Sequence, residues 1–418
     1  MRFEKSEPIP ARSNPGVTVA SVLLFLVFLL GSGYIAFISK DLWRFELLLS
    51  FLFCGTLLFL LRVRWKSVRS RPRRLFWGFL SLTLVLFLPL FTVHGYWGAP
   101  RILPLLLFLL GFVMGPEIPT LWLQRIGLAG LFYTILVPLT FIMSEYTRPA
   151  IGQLLDTDRN NLFLNGLDNQ NIHAFLVFLL IPFKWTLVCS LRSHKLRAAL
   201  FLTIVILDFG AFFWLRSGAG AILIALSYGL LFFYHLRWTA LPALGVVATL
   251  LLLSDLLLFE AFTNATSLQY RMDFLMTAWD LITDYPLGMG PGTQHTIYFS
   301  GPFQKVTSQF DYYDSFQLCA AGFFHCHTHL HNAFAGLTLE FGVVFMTLML
   351  AGLVIVKSLL KDYLFFLIAL SWLLIDDFSH FPAQMILFGF WAARKDAFWL
   401  RLNPFQTYTS NHNANRSS

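Results

Sequence analysis

The chain has 418 residues, of which 57% are hydrophobic and only 12% are charged. Soluble domains carry about twice this charged fraction and cannot hide so much apolar surface, so the composition excludes an aqueous globular protein. At about 20 residues per bilayer crossing, the roughly 240 hydrophobic residues correspond to about twelve spans. The formal net charge of +8 is explained by basic residues in the inner loops of such a protein, so nucleic acid is not expected as a partner.

Apolar segments follow one another along nearly the whole chain. We predict membrane spans at residues 17–38, 42–61, 75–93, 102–114, 121–143, 170–190, 198–215, 217–235, 239–262, 332–356, 363–376 and 380–393. The chain then divides into an inner N-terminal segment (1–16), nine spans (17–262), a large outer loop (263–331), three further spans (332–393) and an inner tail (394–418).

The distribution of basic residues predicts the orientation of these spans. With both termini inside, about two thirds of the 30 Lys and Arg residues fall on inner segments, and the densest run lies between Arg62 and Arg74. The outer side then receives two substantial polar segments, at about residues 144–169 and 263–331. Any chemistry is therefore expected at the outer face, where ATP and sugar nucleotides are not available.

The first candidate site is the tight turn between the seventh and eighth spans, which begins Arg216-Ser217-Gly218. Ser217 is suited to cap the next helix, and an arginine beside an exposed helix N-terminus is suited to bind phosphate. The alternative is an interfacial arginine that reaches lipid headgroups, while the small residues allow close helix packing.

The second candidate is an amphipathic helix predicted over residues 268–286. One face of this helix is apolar except for one arginine and carries Leu268, Arg271, Leu275, Ala278 and Ile282. The opposite face is polar and carries Asp273, Thr277, Asp280 and Asp284. The pattern predicts a helix lying along the membrane. Arg271 on the apolar face requires an anionic partner, which is either a structural ion pair or a substrate phosphate. Gly288 and Gly290 follow in a turn predicted to bring backbone close to substrate or to another helix.

The third candidate is the segment at residues 325–332, in which four histidines alternate before the tenth span. The spacing suits a metal, although no second group of ligands at convincing spacing accompanies it. His331 lies at the outer mouth of the span, where it is either a base near neutral pH or a satisfied interfacial histidine. Glu340, about two turns further on, is a functional candidate or the partner of an arginine. Asp208 and Asp255, inside other spans, are candidates of lower priority.

Taken in order, these segments resemble the O-antigen ligase and O-antigen polymerase superfamily. The matching pieces are LRSGAG around Arg216, YRMDFLMTAWDLITDYPLGMGPG around Arg271, and HLHNAFAGLTLEFGVV from His329 onwards. They cover mainly residues 205–345, and Asn171 at the start of the sixth span is a looser match. The resemblance implies an all-α integral membrane protein of about twelve transmembrane helices, with a long periplasmic loop that carries an amphipathic helix. It also implies a bacterial inner-membrane location, in which the distribution of basic residues predicts that both termini are cytoplasmic.

The resemblance further implies a glycosyltransferase with a periplasmic active site. A glycan would pass from undecaprenyl diphosphate to lipid A-core or another glycan acceptor, with inversion and without a metal or other cofactor. Arg216 and Arg271 would bind the diphosphate and His331 would be the catalytic base. Supporting residues would be Asn332, Glu340, Ser217, Gly288, Gly290 and Asn171. Besides membrane lipids, no further partner is implied.

Three alternatives remain open at the level of sequence. Two belong to the same superfamily: a polymerase of O-antigen or exopolysaccharide, and a transferase that glycosylates protein. The third is a different class, a transporter or a metal-binding membrane protein that uses the intramembrane acids and the histidine-rich segment. The lack of a repeated half with broken helices argues against a transporter.

Overall fold

The computed structural model describes residues 15–34, 99–115, 118–155, 170–191, 193–215, 224–225, 227–229, 265–293, 297, 301–307, 332–360 and 382–393. The regular structure in these ranges is helical, which confirms the predicted all-α class for this part of the chain. The α-helices are α1 (Pro15–Tyr34), α2 (Ala99–Met114), α3 (Thr120–Leu155), α4 (Gln170–Ser190), α5 (His194–Leu215), α6 (Ala265–Asp284), α7 (Gln304–Thr307), α8 (Ala333–Phe341), α9 (Val343–Leu360) and α10 (Pro382–Ala393).

Two stretches in the described ranges are long and apolar enough to cross a membrane. They are Thr120–Val137 in α3 and His173–Ser190 in α4, and shorter apolar stretches occur at Thr18–Leu29 and Ala383–Ala392. Helices α1 to α5 and α10 overlap predicted spans. The predicted spans at 42–61, 75–93, 239–262 and 363–376, and most of 217–235, lie outside the described residues. The total of twelve therefore stays a prediction.

Two predicted spans have different bounds in the structure. Helix α3 continues past residue 143 to Leu155, into the predicted outer segment at 144–169, because apolar patterning marks the end of a membrane stretch and not the end of a helix. The predicted span at 332–356 is two helices, α8 and α9, separated by Gly342 with φ at 87°. The apolar pattern of the sequence is continuous across Gly342, so the pattern does not indicate the helix break.

Helix α4 lies at the centre of the main bundle. Residues 173–186 are all buried, as is typical of a helix that is apolar on every side. It packs against α3, α5 and α10, and α10 packs along α2. Glycines allow two close crossings: a Cβ on Gly127 would overlap the backbone of Phe183, and one on Gly389 would overlap the carbonyl of Phe108. Small residues at such crossings are typical of membrane helix pairs.

Helix α8 joins the main bundle to α6. Ala333, Leu337 and Phe341, which are four residues apart, belong to the core of the main bundle. Ala335 and Leu339 project from the other side of the helix. They belong to a second cluster, whose other buried members are Phe274, Ala278 and Ile282 of α6, with Phe303 and Val306. The fold therefore holds α6 against the helix that follows His331 in the chain.

Candidate active site

Helix α6 buries Ala278 and Ile282 of the face that the sequence predicts to be apolar, leaves Leu275 half-buried, and also buries Phe274, which the sequence did not place on that face. Asp280 and Asp284 are exposed, as predicted. The buried face packs on α8 and on Phe303, and the expectation that the helix lies along the membrane stays a prediction. The sequence pattern of α6 shows that this face is apolar, but it does not show that α8 is what covers it. Arg271 is in register with the buried face, one turn before Phe274.

The glycine loop, defined here as residues 286–293, is bonded to the junction between α8 and α9. Three backbone hydrogen bonds join them: Met289 N–H to the Leu339 carbonyl (2.8 Å), Gly290 N–H to the Glu340 carbonyl (3.0 Å) and Val343 N–H to the Pro286 carbonyl (2.8 Å). Helix ends leave backbone groups without intrahelical partners. The loop supplies partners for the last turn of α8 and for the first N–H of α9, and this stabilises the break.

Two glycines allow the loop and the break to approach each other. Gly288 and Gly342 have φ of 89° and 87°, in the left-handed region that favours glycine. A Cβ on Gly288 would lie 2.6 Å from the Glu340 carbonyl oxygen. A Cβ on Gly342 would lie 2.5 Å from the carbonyl of Leu287. The close backbone approach predicted for the Gly288 turn is thus an approach to another helix.

The side chain of Glu340, in α8, forms a hydrogen bond with the glycine loop. Its side chain is fully buried, and one carboxylate oxygen accepts a hydrogen bond from Gly292 N–H at 3.1 Å. Thr293 closes the loop by donating its hydroxyl to the Met289 carbonyl at 2.9 Å. The geometry therefore gives Glu340 a role in holding backbone.

Asn332 fixes the start of α8. It is the N-cap, with extended backbone at φ −155°, and its side-chain oxygen accepts a hydrogen bond from Ala335 N–H at 3.0 Å. An N-cap of this kind satisfies one of the unpaired N–H groups in the first helical turn. The helix start is thereby defined at the residue that follows His331.

A buried polar network lies inside the main bundle, and no sequence motif indicates it. Lys184 of α4 and Asp208 of α5 form an ion pair, and both side chains are fully buried. Tyr228 donates its hydroxyl to Asp208 at 2.6 Å, and Lys184 also donates to the Thr134 hydroxyl at 3.2 Å. Each charge is visible in the sequence as a charge inside a span. Their pairing is not, because 24 residues separate them on different helices.

A second buried polar contact lies near the start of α4. The Tyr133 hydroxyl and His173 Nδ1 are 2.7 Å apart, and both side chains are buried. The only signal in the sequence is a histidine that interrupts an apolar span two residues after Asn171. The contact ties the start of α4 to α3.

Comparison with known proteins finds a family match mostly in the second half of the chain. Residues 203–350 match the family model described as O-antigen ligase. This segment of the chain is similar to the O-antigen ligase superfamily. The match confirms the predicted resemblance and supports, in general terms, a glycan-transferring enzyme; proteins of this family are embedded in bacterial membranes. No curated protein and no solved structure matches the chain.

The O-antigen ligase match begins within α5 and ends within α9. It therefore includes Arg216, Arg271, His331 and Glu340, whereas Asn171 precedes it. The structure brings Gly288, Gly290 and Glu340 into contact and places α6, which contains Arg271, against α8, which Asn332 begins.

Several predicted residues of this O-antigen ligase domain lie outside the described residues. They are His331, Arg216 and Ser217. For Arg271 and Asn171 the structure describes the backbone but not the side chain. Within the ranges that the structure describes, no group of three His, Cys, Asp or Glu side chains could hold a metal ion. The histidine-rich segment at 325–331 lies outside those ranges.

Proposed function

We propose that this chain is an O-antigen ligase-like glycosyltransferase. It moves a glycan from undecaprenyl diphosphate to lipid A-core at the periplasmic face of the inner membrane. The family match supports glycan transfer in general. The observation that carries the finer proposal is the set of hydrogen bonds between the glycine loop and the end of α8. These bonds hold α6, which contains Arg271, next to α8, which follows His331 in the chain.

The ends of the two helices support a shared site. The glycine loop follows α6 directly and bonds to Leu339 and Glu340, so the C-terminal ends of α6 and α8 lie together. Both helices also share the cluster that includes Phe274, midway along α6, and Ala335, near the start of α8. Arg271 precedes Phe274 by one turn, and His331 precedes Ala335 by about one turn. This order along the two helices supports the proposal that Arg271 and His331 act at a shared site.

The proposed reaction follows from the chemistry of these side chains. The acceptor hydroxyl oxygen attacks the anomeric carbon opposite the diphosphate, the bond from that carbon to the phosphate oxygen breaks, and undecaprenyl diphosphate leaves. His331 takes the hydroxyl proton as general base. Arg216 and Arg271 stabilise the charge that grows on the leaving diphosphate through planar, charge-assisted hydrogen bonds. A leaving group stabilised in this way requires neither a metal nor a general acid.

The remaining residues act as supports in this proposal. Asn332 fixes the helix start beside His331, and Glu340 holds the glycine loop together with Gly288 and Gly290. Ser217 caps the helix after Arg216, and Asn171 begins the sixth span at the same membrane face. The proposed topology has twelve spans, cytoplasmic termini and a periplasmic loop at 263–331, and it is supported by the basic residues of the inner segments.

The experiment that tests this function is a lipopolysaccharide gel from a deletion strain, with the lipid-linked glycans analysed alongside. We expect core without polymer, and long polymer retained on undecaprenyl diphosphate. Single repeat units attached to core would instead assign the polymerase reaction. Unchanged lipopolysaccharide and unchanged lipid-linked glycans would overturn both assignments.

A further inference from the structure

Helix α6 has a second apolar face besides the one that packs on α8. Met272, Met276 and Trp279 follow the helical spacing of one stripe, and Met276 and Trp279 are 62% and 64% exposed. At 100° per residue this stripe lies between the buried face and the acidic face of Asp280 and Asp284. A contiguous exposed apolar patch of this kind marks a surface that contacts another apolar phase or a partner.

The exposed apolar surface continues at the end of the helix. Leu287, in the glycine loop, is 78% exposed, and the neighbouring Tyr285 is also exposed. The bond from Val343 N–H to the Pro286 carbonyl places Leu287 beside the start of α9. Leu287 is therefore next to the outer surface of that helix.

The start of α9 exposes apolar side chains of its own. Val343, Val344 and Leu348 are exposed, with Leu348 at 63%. Helix α9 has 18 residues, a length of about 27 Å at 1.5 Å per residue, which nearly matches the ~30 Å hydrocarbon core of a bilayer. Because α9 belongs to the predicted tenth span, its exposed valine and leucine side chains are expected to face lipid.

We propose that the stripe of Met272, Met276 and Trp279, together with Leu287, contacts the acyl chains and interface of the outer leaflet. The occupant is the bilayer itself, because Leu287 follows the stripe in the chain and lies beside the start of α9, which belongs to the predicted tenth span. Tryptophan and tyrosine favour the membrane interface, and the acidic face beside the stripe stays in water. The inference rests on the proposed membrane enzyme. It adds that the helix of Arg271 is seated in lipid, at the level where a lipid-linked diphosphate is presented.

The test measures which phase surrounds the stripe. Full-length variants Met276→Cys and Leu287→Cys, with Asp280→Cys as the matched control on the acidic face, are made with the four native cysteines replaced by serine. Each is labelled with an environment-sensitive fluorophore and reconstituted in nanodiscs. We expect quenching by doxyl-labelled lipids at 276 and 287, with an iodide quenching constant several-fold smaller than at 280. Equal iodide quenching at all three positions would overturn the proposal.

A second measurement, photo-crosslinking in cells, keeps the native cysteines and so tests the proposal even if the cysteine variants do not fold. Benzoylphenylalanine replaces Trp279 or, as the control, Asp280 in the otherwise native chain in cells, and crosslinks to phospholipid are detected by mass spectrometry. We expect adducts at 279 and several-fold fewer at 280; no adduct at 279, or equal adducts, would contradict lipid contact. Glycan transfer is assayed on the same samples. Lipid contact without transfer would refute the proposed function alone, and transfer without lipid contact would refute this inference alone.

Discussion

Gly288 and Gly342 face each other across the contact between the glycine loop and the helix break. A side chain on Gly288 would come within 2.6 Å of the Gly342 amide nitrogen. One on Gly342 would come within 2.5 Å of the Leu287 carbonyl. The contact joins the loop after α6 to the end of α8, so the position of Arg271 depends on the helix that follows His331.

Gly288→Ala is expected to destabilise the protein and to lower glycan transfer. The left-handed backbone alone costs about 1–3 kcal/mol for a residue with a side chain, and the new methyl group also overlaps the Glu340 carbonyl. Thermal unfolding in detergent and a transfer assay measure the two effects. Gly210→Ala is the matched control, because a Cβ there meets no atom within 4 Å. Wild-type stability of Gly288→Ala would contradict the observed contact.

Glu340→Ala is expected to destabilise more than Glu340→Gln. Alanine leaves Gly292 N–H without this acceptor inside the protein, at a cost of about 1–3 kcal/mol, whereas the glutamine oxygen can still accept the hydrogen bond. The midpoints of thermal unfolding compare the two variants. Equal losses would show that the charge of Glu340, and not its acceptor oxygen, is what the fold requires.

Lys184→Met is expected to lower the free energy of unfolding by about 3–5 kcal/mol, because it leaves the Asp208 carboxylate buried without its cation. Adding Asp208→Leu should restore part of this loss, since the pair is then replaced by apolar side chains. A double-mutant cycle by thermal unfolding measures the coupling. Lys195→Met, at an exposed lysine of α5, is the control. Additive losses at 184 and 208 would contradict the ion pair.

Arg271→Lys is expected to lower transfer about 10²-fold, the scale of losing one transition-state donor. A lysine keeps the charge but not the planar fork that suits a diphosphate. Initial rates with a lipid-linked donor measure the effect, and unfolding midpoints show whether the variant is folded. Asp280→Asn, on the exposed face of the same helix, should retain activity. Wild-type turnover by Arg271→Lys would favour a structural ion pair instead.

The sequence predicted those features of the site that depend on local patterning. The 3.6-residue period located α6 and most of its buried face, and paired glycines predicted the close approach made by Gly288. Asn332 at the start of an apolar run agreed with the helix start. These features depend on neighbouring residues, so one chain segment is enough to indicate them.

Features that depend on distant parts of the chain could not be predicted. The break at Gly342 is stabilised by hydrogen bonds from the glycine loop, about 50 residues earlier in the chain. The pairing of Lys184 with Asp208 depends on how α4 and α5 pack. The stripe at Met272, Met276 and Trp279 became recognisable only when α8 was seen to cover another face of α6.

The most direct test of the central claim is glycan transfer by the purified chain in nanodiscs, from undecaprenyl-diphosphate-linked glycan to lipid A-core. The comparison is His331→Ala against wild type, with His194→Ala at an exposed histidine as the control. We predict product from wild type and His194→Ala, and none from a folded His331→Ala, with its donor unconsumed. Wild-type rates from His331→Ala would contradict the assignment of the base, and no transfer by the wild-type chain would contradict the proposed reaction.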